Sequence, residues 1–272
     1  MEQELAWQQD THARVFDDIA RYPGFLMRKR FESFSEVRLL RDYLRTAPGA
    51  GSLFEIGCAT GEFSRYVAGS LPGLSYRGFD ISRPALARAA EKYGPDRFVR
   101  LETGLDGFLA RHGAADVVFC RDVVLHQSDP FAFLRQLLPI ARGALALRLR
   151  TRDHGPTFTD PEQSCQYHYD SHWVPYIVIN TDELLATIAE DRGVRRVIVS
   201  RRHEVLGGHN FRHLPKDLFY SATRGAETAV LIVKQDGERL GELQVEFDDR
   251  IDGPRWSLLD RAILRFSRRT GN

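Results

Sequence analysis

Short apolar runs alternate with longer amphipathic segments through the middle of the chain. An apolar run of four to eight residues is typical of a buried strand, whereas apolar residues three or four apart are typical of a helix. Strands are predicted in this part at 53–56, 75–79, 98–101, 116–120 and 144–149. Helices are predicted between them at 62–68, 84–93 and 131–138. Repeated strand–helix–strand units form a parallel sheet with helices on both faces, so we expect a doubly wound α/β fold.

The regular alternation stops after Thr151. A segment rich in His, Tyr and Trp extends to about residue 180, and loops of this length are uncommon unless they are functional. A helix at 181–190 follows, and two more strands at 195–200 and 229–234 bring the predicted, mainly parallel sheet to seven strands. The segment 201–225 between these strands is a second irregular region.

The two ends of the chain differ in pattern from this central part. Helical spacing of apolar residues between 11 and 45 predicts two or more helices, so we expect a helical cap at 1–50. The main domain then covers 51–234, with loops at 151–180 and 201–225. A charged C-terminal extension at 235–272, with a possible strand at 240–247 and a helix near 256–266, is a candidate dimerisation element.

Composition excludes several classes of protein. The chain has 272 residues with 43% hydrophobic and 28% charged residues, and it contains no apolar run near the roughly 20 residues that cross a membrane. The polar N-terminus MEQELAWQQD does not resemble a secretory signal, so we expect a cytoplasmic protein without a membrane partner. The balance of 38 Lys and Arg against 37 Asp and Glu disfavours nucleic acid and favours a small-molecule partner. Cys58, Cys120 and Cys165 suggest neither disulfides nor a thiolate zinc site.

An acidic residue and two glycines follow the first predicted strand in the pattern Glu55-x-Gly57-x-x-x-Gly61. Glycine allows a sharp turn and a close approach of a ligand to the backbone. Because Ala59 stands at the middle position, the segment does not supply the G-x-G-x-x-G fingerprint of dinucleotide sites. Asp80 ends the second strand, where nucleoside-binding α/β folds place an acceptor for ribose hydroxyls. Its alternative role as a helix cap suits Ser82 better.

Three blocks in this order, LFEIGCATGEFSRYV, YRGFDIS and ADVVFCRDVVLHQSDPFAFLRQL, resemble the class I S-adenosylmethionine-dependent methyltransferases from about residue 52 to 149. The resemblance implies a Rossmann-like sheet and S-adenosylmethionine as the cofactor. It implies that the turn facing the methionine part contains Glu55, Gly57, Cys58, Ala59 and Gly61. It also implies that Asp80 binds the ribose, that Ile81 flanks the adenine, and that the segment after the third strand lines the adenine.

The fourth strand ends at Cys120, Arg121 and Asp122, at the edge where open α/β sheets bind ligands. We expect the backbone of Cys120 and Arg121 to face the cofactor, while Asp122 is either part of the site or structural. Methyl transfer depends mainly on an aligned nucleophile, and a base that takes the acceptor's proton adds to the rate. His126 and His154, each following a strand, are the candidate bases, with structural or surface roles as the alternative.

The aromatic segment supplies candidate substrate-binding residues. His168, Tyr169, His172 and Trp173 lie together in it, and His209 lies in the second irregular region. Together with Tyr167 and Tyr176, these rings suit a sugar or an aromatic natural product, although packing onto the sheet explains them equally well. A zinc site at His168 and His172 would need a third ligand and a helical H-E-x-x-H context, so we expect no metal.

The leading hypothesis is methyl transfer to an oxygen or nitrogen of a small polar acceptor, a sugar or sugar-containing metabolite in small-molecule biosynthesis. One alternative is a nucleic-acid methyltransferase acting on tRNA, which the neutral charge and the lack of an N-P-P-Y-like tetrapeptide after the fourth strand disfavour. A second alternative is a non-catalytic cofactor-binding subunit of an enzyme complex.

Overall fold

The computed structural model describes residues 31–47, 49–169, 172–203, 206–207, 213–215 and 224–248. The helices predicted before residue 31, most of the second irregular region and the helix predicted near 256–266 lie outside these residues. Within the described part, no helix has the length and apolar character needed to cross a membrane.

The described residues form six α-helices and twelve β-strands. The helices are α1 Ser35–Thr46, α2 Glu62–Ser70, α3 Arg83–Tyr93, α4 Phe108–His112, α5 Pro130–Leu137 and α6 Thr181–Ala189. The first six strands are β1 Ser52–Ile56, β2 Ser75–Asp80, β3 Phe98–Arg100, β4 Ala115–Arg121, β5 Ala141–Arg152 and β6 Gln166–Tyr169. The others are β7 His172–Pro175, β8 Ile179–Asn180, β9 Val194–His203, β10 His213–Leu214, β11 Ala226–Lys234 and β12 Gln244–Phe247.

The main sheet is mixed, and among the described residues it has nine strands instead of the predicted seven. Its order is β12-β9-β11-β5-β4-β1-β2-β3, with the short β8 also paired to β5. Strands β1 to β5 are parallel as expected, but β11 is antiparallel to both β5 and β9. The two additional strands are β8, which pairs with only the last two residues of β5, and β12 at the edge. All seven predicted strands are present.

Helices cover both faces of the sheet, as a doubly wound fold requires. On one face, α4, α5 and α6 pack on an apolar cluster that includes Phe54 and Ile56 of β1. On the other face, α1 and α2 pack on a second cluster that includes Leu53 of β1 and Phe63 of α2. Because successive residues of a strand point to opposite faces, Glu55 lies on the same face as Leu53. The carboxyl end of β1 is therefore held rigidly in the middle of the sheet.

The segment 151–180, predicted as a long loop, contains a β-hairpin. Strand β5 continues to Arg152, and β6 and β7 pair antiparallel with Tyr167 opposite Val174. The short β10 joins β6 to complete a three-stranded sheet. The loop prediction was wrong for these strands because the aromatic residues counted as loop surface have a strong preference for strands. Residues 153–165 remain outside strands and helices.

Asp116 ties together the amino ends of β1, β4 and β5. Its Oδ2 accepts hydrogen bonds from the backbone N–H groups of Gly51 and Ser52, both at 2.9 Å, and its Oδ1 accepts one from Arg142 Nη2 at 2.8 Å. Burial acts to raise the pKa of Asp116, but these hydrogen bonds and the Arg142 charge outweigh it and lower the pKa to about 2. The carboxylate is therefore ionised at all physiological pH values.

We expect Asp116→Asn to lower the free energy of unfolding by about 1 to 2 kcal/mol at pH 7. The folded pKa is depressed, so the stabilisation is complete above the unfolded value near 4 and is lost as the pH falls towards 2. Urea unfolding between pH 7 and pH 2 checks this. A variant that is destabilised equally at pH 7 and pH 2 would contradict the assignment, and the exposed Asp96→Asn is the matched control.

Candidate functional site

A cavity of about 260 Å³ opens at the carboxyl ends of β1, β2 and β4. This is the edge where open α/β sheets bind their ligands. The predicted cofactor and catalytic residues that line it are Glu55, Gly57, Cys58, Ala59, Asp80, Ile81, Arg121 and His126. Two predicted cofactor residues are not in its wall: Gly61 is the N-cap of α2, and Cys120 is buried within β4. Leu101, Gly104 and Leu105, which follow β3, complete the side where the adenine was expected.

The turn after β1 has a backbone that requires glycine at two positions. Gly57 has a φ of +81°, and a Cβ there would lie 2.2 Å from Val123 Cγ2. Gly61 has a φ of +75°, and a Cβ there would lie 2.7 Å from the Phe98 ring. Ala59 also adopts a left-handed conformation, with a φ of 47°. The turn therefore brings bare backbone to the cavity, as a closely bound cofactor needs.

Asp80 is fixed beside this turn by two backbone groups. Its Oδ2 accepts a hydrogen bond from the N–H of Ala59 and its Oδ1 accepts one from the N–H of Ser82, both at 2.8 Å. Held in this way in the cavity wall, the carboxylate lies where the resemblance puts the acceptor for ribose hydroxyls. The Ser82 hydroxyl caps α3 by accepting from the N–H of Ala85 at 3.3 Å. The cap of α3 is thus supplied by Ser82, and Asp80 lines the cavity.

Glu55 and Cys58 form the buried side of the turn. The Glu55 carboxylate accepts a hydrogen bond from the hydroxyl of Tyr76 on β2. Burial, followed by the charge of Glu55, raises the pKa of Tyr76 well above its usual range, so the phenol remains a donor. Burial, Asp80 and Glu55 likewise raise the pKa of Cys58, which is a neutral thiol. Tyr76 could not be predicted as a site residue, because an aromatic residue in a strand normally indicates packing alone.

The segment that builds this cavity also matches a known family. Residues 54–142 match the profile of a family described as "Methyltransferase domain", and they include the glycine turn, Asp80 and His126. This segment is a methyltransferase domain. Its cofactor is S-adenosylmethionine, for which the bare backbone of the glycine turn and the Asp80 carboxylate in the cavity wall are suited. The predicted family, enzyme class and cofactor are confirmed.

Solved structures of methyltransferase fold resemble the whole described architecture. The N-terminal domain of EvdMO1 with SAH bound has a TM-score of 0.53 at 15% identity, with 85% of this chain and 99% of that chain covered. The same domain in the presence of SAH and D-fucose has a TM-score of 0.52 at 16% identity, with coverage of 85% and 99%. The DhpI–SAH complex has a TM-score of 0.50 at 14% identity, with coverage of 87% and 98%. No curated protein sequence matches the chain.

His126 lies in the wall of the methyltransferase cavity and is buried. Its Nδ1 lies 2.6 Å from the carbonyl oxygen of Pro175. Because a carbonyl can only accept, Nδ1 carries the proton and Nε2 is the basic nitrogen. Burial lowers the pKa of His126 to about 4, although the Pro175 carbonyl and Asp122 oppose this shift. The imidazole is neutral near pH 7, which is the form that a base requires.

His154 lies elsewhere. It is exposed in the segment after β5 and does not contribute to the cavity wall, while its carbonyl accepts a hydrogen bond from Arg152 Nε at 2.7 Å. The structure thus brings His126, and not His154, to the methyltransferase site.

Asp122 stands next to His126 at the centre of a charged cluster. Its backbone is left-handed with a φ of 57°. Its Oδ2 accepts from Arg148 Nη1 at 2.6 Å and lies 3.3 Å from Arg121 Nη1, and its Oδ1 lies 3.8 Å from Arg150 Nη1. Burial would raise the pKa of Asp122, but these guanidinium groups lower it, so the carboxylate is ionised. Arg121 Nε also donates to Glu36 of α1 at 2.8 Å, which directs its side chain towards the helical cap.

Two of the predicted substrate residues whose side chains are described, His168 and Trp173, lie on the β6–β7 hairpin and do not line the cavity. The rings of His168 and Trp173 contact each other, with centroids 4.7 Å apart. Tyr169 and His172 occupy facing backbone positions in the hairpin, and His209 lies outside the described residues. The aromatic residue beside His126 is Tyr176, with ring centroids 6.0 Å apart.

Tyr176 in turn contacts Tyr167 and His213, each with ring centroids 5.8 Å away. Spacing along the sequence does not predict that Tyr176 is the aromatic residue beside His126. That contact depends on how the β6–β7 hairpin folds.

Proposed function

We propose that this methyltransferase transfers the methyl group of S-adenosylmethionine to an oxygen or nitrogen of a small polar acceptor, a sugar or sugar-containing metabolite. The observation that carries the proposal is the neutral His126 in the wall of the cofactor cavity, with its proton fixed on Nδ1 by the Pro175 carbonyl. A base in this position can take the proton that an alcohol or amine loses as its methyl group arrives.

The bound cofactor would supply an electrophilic methyl group on a sulfonium. The residues of the chain then have three tasks. Gly57 and Asp80 hold the cofactor through bare backbone and ribose acceptors. The buried walls restrict the acceptor's approach, and such alignment contributes much of the rate of a displacement reaction. His126 Nε2 accepts the acceptor's proton, and the nearby Asp122 carboxylate stabilises the resulting imidazolium.

The proposal of a sugar acceptor has two supports. Tyr176 is half-buried beside His126 and the half-buried Tyr167 contacts Tyr176, and aromatic rings with a polar end suit hydroxylated rings. The EvdMO1 domain, which shares this fold, was crystallised in the presence of SAH and D-fucose. The near-neutral net charge of +1 further favours a small molecule over a nucleic acid.

Methyl transfer from isotopically labelled S-adenosylmethionine to a panel of acceptors tests the proposal. The panel contains D-fucose, other 6-deoxyhexoses, an aminodeoxyhexose, nucleotide-linked hexoses and bulk tRNA. We expect label in at least one sugar and none in tRNA. Label in tRNA alone would favour the nucleic-acid alternative, and cofactor binding without transfer to any acceptor would favour a non-catalytic subunit. Either result would contradict the proposal.

We also propose that the enzyme acts in the cytoplasm without a nucleic-acid or membrane partner, and that the extension 235–272 belongs to a homodimer interface. The support for the dimer is that β12 in this extension lies at the edge of the sheet with Val245 and Phe247 exposed. Exposed edge strands pair readily with other strands. The domain boundaries at 50 and 234 are also proposals. They rest on the change in sequence pattern from the helical cap to the main domain and from the main domain to the charged extension.

A further inference from the structure

The pairing of β1 with β2 brings Tyr76 to Glu55, although the two residues are not directly opposite each other in the sheet. The residue directly opposite Glu55 on β2 is Gly78, which has no side chain. Tyr76 lies two residues earlier on the same strand and so on the same face as Gly78. Its hydroxyl occupies the space beside Gly78 and donates to the Glu55 carboxylate. Glu55 thus receives its hydrogen bond from a residue that is not its direct partner in the sheet.

Glycine at 78 is needed for this contact, although its backbone does not require glycine. A Cβ at Gly78 would lie 2.7 Å from the hydroxyl oxygen of Tyr76 and 2.9 Å from both Cβ and Sγ of Cys58. Any side chain there would displace the phenol or the Cys58 side chain of the cofactor turn. The Tyr76 ring itself packs edge-on against Phe98, with centroids 6.1 Å apart, which limits its freedom to move.

We propose that Tyr76 is a positioning residue for the cofactor, acting through Glu55. The phenol holds the carboxylate in one orientation in the cavity wall beneath the glycine turn. S-adenosylmethionine carries an ammonium group and a sulfonium, and a carboxylate fixed near its methionine end attracts both charges. A hydrogen-bonded carboxylate needs little reorganisation when the cofactor binds, so the phenol increases affinity without touching the ligand.

The test is a double-mutant cycle on Tyr76→Phe and Glu55→Gln, read by calorimetric titration with S-adenosylhomocysteine. We expect Tyr76→Phe to raise the Kd about fivefold to tenfold, because one charge-assisted hydrogen bond is lost. Glu55→Gln should raise the Kd by at least as much. Because Tyr76 acts through Glu55, adding Tyr76→Phe to the Glu55→Gln variant should change the Kd less than twofold.

Tyr66→Phe is the matched control, since Tyr66 stacks on Phe63 with centroids 5.6 Å apart and does not line the cavity. Its Kd should equal that of the wild type. The proposal is overturned by an unchanged Kd in Tyr76→Phe, or by full additivity in the cycle, which a purely structural effect would produce. If Glu55→Gln does not fold, the comparison of Tyr76→Phe with Tyr66→Phe decides alone. The proposal rests on the cofactor and not on the acceptor, so its failure would leave the proposed sugar methylation standing.

Discussion

Replacement of Asp80 by asparagine should weaken S-adenosylmethionine binding about a hundredfold or more. The carboxylate lines the cavity and accepts from the N–H groups of Ala59 and Ser82, and we propose that its two oxygens also accept from the ribose hydroxyls. In the amide, one oxygen becomes an NH₂ donor that faces a backbone N–H and can no longer accept from the ribose. Loss of one hydrogen bond to a charged acceptor costs about 1.5 to 3 kcal/mol, and the other ribose hydroxyl then donates to a neutral amide oxygen, which weakens that bond by about 1 kcal/mol; together these give this factor.

Calorimetric titration of Asp80→Asn with S-adenosylmethionine measures the effect. The exposed Asp96→Asn on the turn after α3 removes the same charge near the same face and should bind normally. Asp80→Asn should also lower the thermal midpoint slightly, since the Ala59 contact supports the turn. A Kd within threefold of the wild type in a folded Asp80→Asn variant would show that the ribose is held elsewhere.

Replacement of His126 by glutamine should lower kcat about 10²-fold to 10⁴-fold with an alcohol acceptor, the usual contribution of a positioned base. Glutamine can still donate to the Pro175 carbonyl, so the local packing is retained, but it cannot take a proton. The affinity for S-adenosylhomocysteine should change little. The exposed His154→Gln is the matched control and should keep the wild-type kcat.

The pH dependence gives a second measure of His126. Its pKa of about 4 lies below the ordinary value of 6.5, so His126 stays unprotonated as the pH falls from 7 to 5. Over this range kcat/KM should therefore not show the decrease that protonation of a histidine with a pKa of 6.5 would cause. The depressed pKa also means that stability is lost as the pH falls below 6.5, because the unfolded chain then binds more protons. His126→Gln should reduce that loss. Equal kcat values for the wild type and His126→Gln would exclude His126 as the base.

The central α/β architecture was predictable because its signals are local. Each of the first five strands is a short apolar run followed by an amphipathic helix or a turn, and the structure places them in the expected parallel order. The glycine turn and Asp80 were also predictable, since their positions relative to strand ends fix their place at one edge of the sheet. Helix α4 was missed because five residues, Phe108–His112, are too few to show a helical period.

What could not be predicted depends on contacts between distant segments. The hairpin of β6 and β7 decides that Tyr176 meets His126, and no local pattern reveals that pairing. The same holds for Asp122, whose ionised state follows from arginines on β5 that are 26 and 28 residues away. Tyr76 became visible only when the register of β1 and β2 placed Gly78 opposite Glu55. In each case the contact that matters is made between segments that are distant in the sequence, so it follows only from the tertiary structure.

The unequal pairing of the strands bears on how the cofactor site opens. Strands β5 and β11 share eight residue pairs in the middle of the sheet, whereas β3 pairs with β2 over only three residues at one edge. Local opening begins where few hydrogen bonds must break, so we expect backbone amides of β3 to exchange with solvent sooner than those of β5 and β11. Leu101 and Leu105 follow directly after β3. We therefore expect the side of the cavity that is proposed to take the adenine to open first, whereas His126, the proposed base, follows β4, which pairs with β5 in the middle of the sheet.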